Sequence, residues 1–342
     1  MSGLKGLATG IGSLPHKDAE RALDLIFKYL PQVPFWPQLP KRDIREGMII
    51  QFSENLPCLK LIDNGLVFSA DRRDRELEIF YEKVLSRDLE YFKISRGFSQ
   101  GVYALEERLN EQVNLLAEIK FIKCQITGPF TFAAGINDDK GIALLHDDIL
   151  MQAIIKGLTL KALWQIDFFR EFGKKIIVFA DEPSLSSFGS AYTALNKEEV
   201  VRGLTELAEG IKSEDVLLGV HCCGNTDWSI LTETPNIDII SFDAFSFLDK
   251  FILYADNLKA FVARGGIICW GIAPTQEPGA GETAVFLKEK IYSAINILSK
   301  KGVDRGRLEQ GLFLSPACGL GTLDSEKSEA IFRLLAETAS LT

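Results

Sequence analysis

The stretch "VHCCGNTDW" (220–228) places two side chains that bind soft metal ions directly after an apolar run. His221 and Cys223 are spaced i, i+2, and residues with that spacing in a β-strand point to the same side. An imidazole and a thiolate from one strand can therefore reach one ion, while Cys222 points away. Imidazole and thiolate are both ligands that zinc and related transition metals accept.

Two residues far along the chain would complete this site. Cys318 follows the apolar run "GLFLSP", and Asp243 follows "IDIISF". Zn²⁺ accepts nitrogen and sulfur ligands in a tetrahedron, and a catalytic zinc keeps one position for substrate. His221, Cys223 and Cys318 would supply three ligands, and Asp243 is a candidate for a fourth. The alternative is that the cysteines are small buried hydrophobic residues, because one HxC without a second close pair is a weak metal pattern.

Two further polar turns follow apolar runs. Asp181 begins "DEPS", while Gly12 and Ser13 end the run "GLATGIGS". A carboxylate at such a position could hold an amino group, and free backbone N–H groups in a glycine turn could bind a carboxylate. The structural alternatives are a helix cap at Asp181 and an ordinary tight turn at Gly12.

Eight apolar runs alternate with stretches of helical period, and they predict the elements that position these residues. Each run is too apolar to face water on either side, as in parallel strands covered by helices. We predict a (β/α)8 barrel in a single domain of residues 1–342, with the polar strand ends on one rim; a doubly wound open sheet is the main competitor. The predicted strands are GLATGIGS (6–13), VPFWPQL (33–39), IKFIKCQIT (119–127), KKIIVFA (174–180), DVLLGV (215–220), IDIISF (237–242), GGIICWGI (265–272) and GLFLSP (311–316).

Between residues 40 and 118 this alternation stops. The run LKLIDNGLVFS (59–69) predicts a hairpin around residues 63–65, and residues 74–93 have a helical pattern. We interpret 40–118 as an insertion in the second βα connection rather than a separate domain, since no linker or repeat marks a boundary.

The composition argues against several classes of partner. A net charge of −9 repels nucleic-acid phosphates and anionic lipid headgroups. We find no uninterrupted apolar run with the length of a signal-peptide core or a membrane span, so we predict a cytoplasmic protein without a membrane or nucleic-acid partner. In that reducing compartment, six scattered cysteines without a CxxC pair would be thiols or metal ligands.

Taken in order, the motifs resemble the catalytic half of cobalamin-independent methionine synthase, within the uroporphyrinogen decarboxylase-like barrels. The resemblance covers essentially the whole chain, which is similar in type to the short, single-barrel "core" methionine synthases. Its motifs are TGIGSLP (9–15), TGPFTF (127–132), DEPSL (181–185), HCC (221–223), DIISFDA (238–244) and SPACGLGT (315–322).

The resemblance implies a zinc ion held by His221, Cys223 and Cys318. Asp243 stands where the family commonly has a glutamate ligand, which is one methylene longer.

The resemblance also implies how L-homocysteine would bind. Its carboxylate would lie against the backbone of Ile11, Gly12 and Ser13, and its amino group near Asp181. The family has a second acidic contact shortly before a methionine, and in this chain only Asp43 or Glu46 could supply it.

Two departures from the family bear on the methyl donor. The sequence "GPFTFAAGIND" lacks the tryptophan that lies against folate in the long enzymes. The segment "CWGIAPTQEPGAGE" (269–282) lacks the catalytic histidine that the family has near the end of the seventh strand. A folate nitrogen needs a proton to leave, whereas a methyl–cobalt donor leaves as Co(I) without one. The resemblance therefore implies a methylated corrinoid donor such as methylcobalamin, free or bound to a corrinoid protein.

We predict a zinc-dependent methyltransferase that converts L-homocysteine to L-methionine. The homocysteine thiol is mostly protonated at neutral pH, and a dication with an open position lowers its pKa. The alternatives are a methyltransferase for another thiol of the coenzyme M type, a decarboxylase-like barrel without metal chemistry, and a zinc-stabilised barrel without catalysis. Asp181 favours an amino acid over coenzyme M, which has no ammonium group.

Overall fold

A computed structural model describes residues 4–62, 65–189, 196–275 and 282–342 of the chain. The strands, in chain order, are β1 (Leu7–Ala8), β2 (Leu59–Ile62), β3 (Gly65–Phe68), β4 (Phe121–Thr127), β5 (Lys175–Asp181), β6 (Val216–Cys222), β7 (Ile239–Phe242), β8 (Ile267–Ala273) and β9 (Phe313–Pro316). Seven of them form a parallel sheet in the order β1-β9-β8-β7-β6-β5-β4, and β2 pairs antiparallel with β3. All neighbours in the large sheet are sequential along the chain except β1 and β9.

Both faces of the large sheet are buried, which is why its strands read as apolar runs rather than as alternating patterns. Every residue of β4, β7, β8 and β9 is buried. Alternate residues of the strands form a separate hydrophobic cluster on one side, which we call the inner face. Its buried members are Leu4, Leu7, Val33, Phe121, Ile177, Phe179, Ile239, Ile267, Cys269 and Phe313.

Helices pack on the other side of the sheet and, with it, form the main hydrophobic core. They are α1 (Ala19–Tyr29), α2 (Arg73–Leu85), α3 (Gln100–Glu111), α4 (Pro129–Ala134), α5 (Asp148–Arg170), α6 (Lys197–Ile211), α7 (Trp228–Glu233), α8 (Leu248–Phe251), α9 (Ala255–Ala263), α10 (Ala284–Lys300), α11 (Arg305–Gln310) and α12 (Ser325–Ser340). Short 3₁₀ turns occur at Ile44–Glu46, Ile50–Phe52, Val113–Ala117, Leu144–His146, Pro183–Ser187 and Ile252–Tyr254.

The segment 33–39, predicted as the second strand, does not form a regular strand. Its two prolines lack the N–H group that a strand donates to its neighbour. The segment nevertheless makes a parallel bridge to each side, Phe35 with Lys123 of β4 and Gln38 with Ser13 beyond β1. It therefore runs between the two edge strands of the seven-stranded sheet.

Residues 40–118 contain the small hairpin and two helices. Strands β2 and β3 pair as predicted, while residues 63–64 of the predicted turn lie outside the described residues. The helix predicted for 74–93 ends at Leu85, because the chain turns at Arg87, whose φ of 51° a helix does not adopt. That this region is an insertion in a barrel stays a prediction.

Helix α5 is the one helix among the described residues that is long and apolar enough to cross a membrane by length and composition. This differs from the sequence prediction, which found no such stretch. However, 78% of its most apolar window is buried inside the protein. It packs against β4, β5, α2, α4 and α6, as a core helix does.

Candidate functional site

Three of the predicted metal ligands meet at the carboxyl ends of the strands. His221 lies in β6, Cys223 follows that strand, and Cys318 lies just beyond β9. A ligand atom of each lies within 4.8 Å of those of the other two. Ligands of one tetrahedral zinc ion are roughly 3.5–4 Å apart, given bonds of about 2.0–2.3 Å, so small side-chain adjustments would let all three share one ion.

The adjacent cysteine has the opposite orientation, as the strand alternation predicts. Cys222 is fully buried, and its thiol donates to the carbonyl of Gly224 at 3.5 Å. Burial raises the pKa of this thiol to about 12. Cys222 is therefore a core residue, and only Cys223 of the pair faces the cluster.

The ring of His221 is held in one orientation by a residue on the neighbouring strand. Its Nδ1 lies 2.9 Å from Oγ of Ser241 on β7, and its buried Nε2 has no hydrogen-bond partner among the described residues. Burial raises the pKa of the nearby Cys269 thiol to about 11, against the opposing influence of the Ser315 and Ser241 hydroxyls. If Nδ1 carries the proton and donates it to Ser241, Nε2 presents its lone pair to the cluster, as a metal-binding histidine requires.

The two thiols of the cluster interact with each other. A hydrogen bond from Cys318 lowers the pKa of Cys223, and the same interaction together with burial raises the pKa of Cys318. Cys223 is therefore the first of the two to become a thiolate, which is the form that binds metals.

Asp243 does not belong to this cluster. Among the described residues, the group of ligand atoms that lie within 4.8 Å of one another contains those of His221, Cys223 and Cys318 but not that of Asp243. The Asp243 side chain is buried and accepts a hydrogen bond from the N–H of Ser246 at 2.8 Å, three residues along the chain. Asp243 is thus engaged in its own turn in this structure, and its role as a fourth ligand stays a prediction.

The turn formed by Ile11, Gly12 and Ser13 lies beside the Cys318 loop. Strand β1 ends at Ala8, earlier than predicted, but the N–H of Thr9 still donates to Leu314 of β9 and Ser13 makes a parallel bridge with Gln38. Oγ of Ser13 accepts from the N–H of Gly321 at 3.2 Å, and the Ser13 carbonyl accepts from Leu320 at 2.9 Å. Within the described part of the chain, the N–H groups of residues 11, 12 and 13 donate no hydrogen bond. They are therefore available to an anion.

Asp181 lies on the other side of the cluster. It ends β5 and stands directly opposite His221 in the register with β6. Its shielded Oδ1 has no hydrogen-bond partner among the described residues. Burial raises the pKa of this carboxyl to about 6, against the opposing influence of His221 and Lys123. An unpartnered, shielded carboxylate oxygen at a strand end suits a cationic ligand group.

The two acidic residues considered for a second substrate contact are both engaged. Asp43 forms an ion pair with Arg45 at 2.6 Å, which together with backbone hydrogen bonding lowers its pKa to about 2. Glu46 is fully buried and accepts from Arg42 and from the N–H groups of Leu39 and Gln100. Glu46 thus joins the start of residues 40–118 to the first residue of α3.

Glu182 is a site-forming residue whose role the sequence did not reveal. Its fully buried carboxylate accepts from the N–H groups of Phe130 and Thr131 and from the Thr131 hydroxyl, at 2.7–3.0 Å. A Cβ on Gly128 would lie 2.2 Å from this carboxylate, so the close approach requires glycine. The "TGPFT" and "DEPS" motifs are therefore joined to each other at the carboxyl ends of β4 and β5.

The chain matches no protein-family model and no curated protein. Among solved structures it is similar to a B12-independent methionine synthase from Shewanella sp. W3-18-1 in complex with selenomethionine, at 17% identity and a TM-score of 0.58, over 99% of this chain and 98% of that one. At this identity the similarity shows a methionine synthase-like fold alone. Tandem GH20 modules of a pneumococcal exo-β-D-N-acetylglucosaminidase align at 12% identity over 98% of this chain and 83% of that one. Their TM-score of 0.47 is too low to support a common fold.

Proposed function

We propose that this protein is a zinc-dependent methyltransferase that methylates the thiol of L-homocysteine to give L-methionine. The observation that carries the proposal is the convergence of His221, Cys223 and Cys318 from segments nearly a hundred residues apart. A methyltransferase of the methionine synthase type also agrees with the similar solved structure, which was determined with selenomethionine bound.

The donor set fits zinc. One imidazole and two thiols form a mixed nitrogen–sulfur set, and three protein ligands leave a fourth position, as catalytic zinc sites do. The buried, unpartnered Nε2 of His221 is a second sign of fit, since a buried polar atom without a partner is costly. When bound, Zn²⁺ would lower the pKa of the substrate thiol and so favour its nucleophilic thiolate form.

The surrounding residues would orient the amino-acid part of the substrate. The free N–H groups of residues 11–13 would bind its carboxylate, and Asp181 would bind its ammonium group. Contact of the turn with the Cys318 loop, and pairing of Asp181 with His221, keep both groups next to the cluster. Holding both ends of the substrate fixes its sulfur for in-line attack on a methyl carbon.

The proposed methyl donor is a methylated corrinoid, as methylcobalamin or on a corrinoid protein. Its carbon–cobalt bond would break with both electrons left on cobalt, so no acid is needed. The missing tryptophan and histidine support this choice over methyltetrahydrofolate, whereas the name of the similar structure, B12-independent, favours the opposite one. Residues 276–281 of the histidine-free segment lie outside the described residues.

We also propose that the sheet is a complete (β/α)8 barrel in one domain, with residues 40–118 inserted after its second strand. The parallel bridges of segment 33–39 to both edge strands support this closure. A closed sheet places all the strand ends that carry the site on one rim.

The direct experiment measures methionine formation from L-homocysteine by zinc-loaded protein, with methylcobalamin or methyltetrahydrofolate as donor. We expect turnover with methylcobalamin and none after the zinc is removed. Turnover with folate alone would refute the corrinoid donor, and full activity without zinc would refute the mechanism. Coenzyme M replaces homocysteine in a parallel reaction, and a preference for it would identify a different acceptor.

A further inference from the structure

A charged side chain lies beneath the amino-acid site. Lys123, in the middle of β4, is fully buried. It lies on the inner face, with Nζ 4.8 Å from the ring centroid of Phe179 and 5.6 Å from that of Phe35. A buried ammonium needs compensating groups, because transfer from water is costly. The identity of those groups indicates what the lysine does.

Its hydrogen bonds lead to the turn that would bind the substrate carboxylate. Nζ donates to the carbonyl of Ile11 at 2.5 Å and to Oε1 of Gln125 at 3.3 Å. The Gln125 side chain also packs on Gly12, where an added Cβ would lie 3.1 Å from it. The turn therefore rests directly on two side chains of β4.

The bond to Ile11 determines where the next N–H group points. In a planar trans peptide, the carbonyl of one residue and the N–H of the following residue point in opposite directions. Because the Ile11 carbonyl accepts from Lys123, the N–H of Gly12 is directed away from Lys123. A side chain without a hydrogen-bond donor at position 123, such as methionine, would remove this constraint.

The same ammonium also acts on the other half of the site. Asp181 on the adjacent strand is the carboxylate that interacts electrostatically with Lys123. We propose that Lys123 is the positioning residue of an α-amino-acid site, fixing the Ile11–Ser13 turn and balancing Asp181 so that the two face a zwitterionic substrate with opposite charge. This inference rests on the proposed function.

The test uses two thiols that differ only in the groups this site would recognise. L-homocysteine and 1-propanethiol are titrated by calorimetry into zinc-loaded wild type, Lys123→Met and Lys161→Met. Lys161 is the matched control, since it is equally buried but lies in α5 and has no hydrogen-bond partner among the described residues. We expect Lys123→Met to weaken homocysteine binding about tenfold or more, with propanethiol affinity and zinc content unchanged, and Lys161→Met to change neither.

Unchanged homocysteine affinity in Lys123→Met, or an equal loss for both thiols, would overturn the inference while leaving the proposed function intact. If the wild type binds propanethiol but shows no preference for homocysteine, both the inference about Lys123 and the proposed function are refuted. Should Lys123→Met fail to fold, Lys123→Leu takes its place under the same criteria, because leucine also lacks both the donor for the Ile11 carbonyl and the charge.

Discussion

At the residue scale, the candidate metal site depends on which side of a strand each side chain faces. Cys222 and Cys223 are adjacent in sequence, yet one is buried in the core and the other faces His221 and Cys318. Strand alternation predicted this difference from spacing alone. It could not predict that the Asp243 carboxylate binds its own turn, since that depends on loop geometry after the strand ends.

Replacing Cys318 with alanine should abolish zinc binding and methyl transfer without unfolding the protein. The residue follows β9 and is only partly buried, so its thiol contributes to the site more than to the core. Zinc content, turnover and thermal unfolding of the metal-free protein are the measurements. In the control Cys222→Ala, zinc should be retained while stability falls by about 1 kcal/mol, because a cavity forms in the core. Zinc retention in Cys318→Ala, or its global unfolding, would contradict this assignment.

Ser241 should influence zinc affinity although it is not a ligand. Removing its hydroxyl in Ser241→Ala frees the His221 ring to change its tautomer and orientation, and loss of such a partner typically lowers metal affinity about 10–100-fold. Competition with a zinc chelator measures the affinity, and Ser241→Thr should restore it. If the alanine and threonine variants both bind zinc as wild type does, the hydroxyl has no orienting role.

At the element scale, strands that are buried on both faces were predictable and irregular segments were not. The six long apolar runs from residue 119 onward form β4 to β9. A strand with apolar residues at consecutive positions has to be buried on both of its faces, as the strands of a parallel sheet are. Segment 33–39 has the same composition but two prolines, which prevent regular pairing. The lysine inside "IKFIKCQIT" was visible in the sequence as a charge in a buried strand, but its bond to Ile11 depends on tertiary contacts.

Helix α5 provides a test of how buried charge affects stability. Lys161 is fully buried, and burial lowers its pKa to about 8 from an ordinary value of 10.5. The folded state therefore holds this proton less tightly than the unfolded state, so the lysine costs stability below pH 8 and the cost disappears as the pH rises toward 10.5. Lys161→Met should stabilise the protein at pH 7 by up to about 3 kcal/mol, with a smaller gain at pH 10. Denaturant unfolding of both proteins at the two pH values measures this, and a gain that does not change with pH would contradict the assignment.

At the scale of the whole molecule, the fold assembles one site from segments that span nearly the entire sequence. The turn at residues 11–13 contacts the loop of Cys318, and Asp181 lies opposite His221 in the register of β5 and β6. Because parallel strands end at one edge, the sequence order of polar strand ends was enough to predict which segments meet. The sequence order could not predict the hydrogen bonds that hold these segments in place. Glu182 accepts from Phe130 and Lys123 donates to Ile11, and each bond joins residues of two separate motifs or strands.

X-ray absorption of the zinc-loaded protein, before and after addition of L-homocysteine, tests the central claim most directly. We expect one nitrogen and two sulfur ligands from the protein, with sulfur distances near 2.3 Å, and a third sulfur when homocysteine is added. Failure to bind zinc, or a ligand set that homocysteine leaves unchanged, would contradict the account.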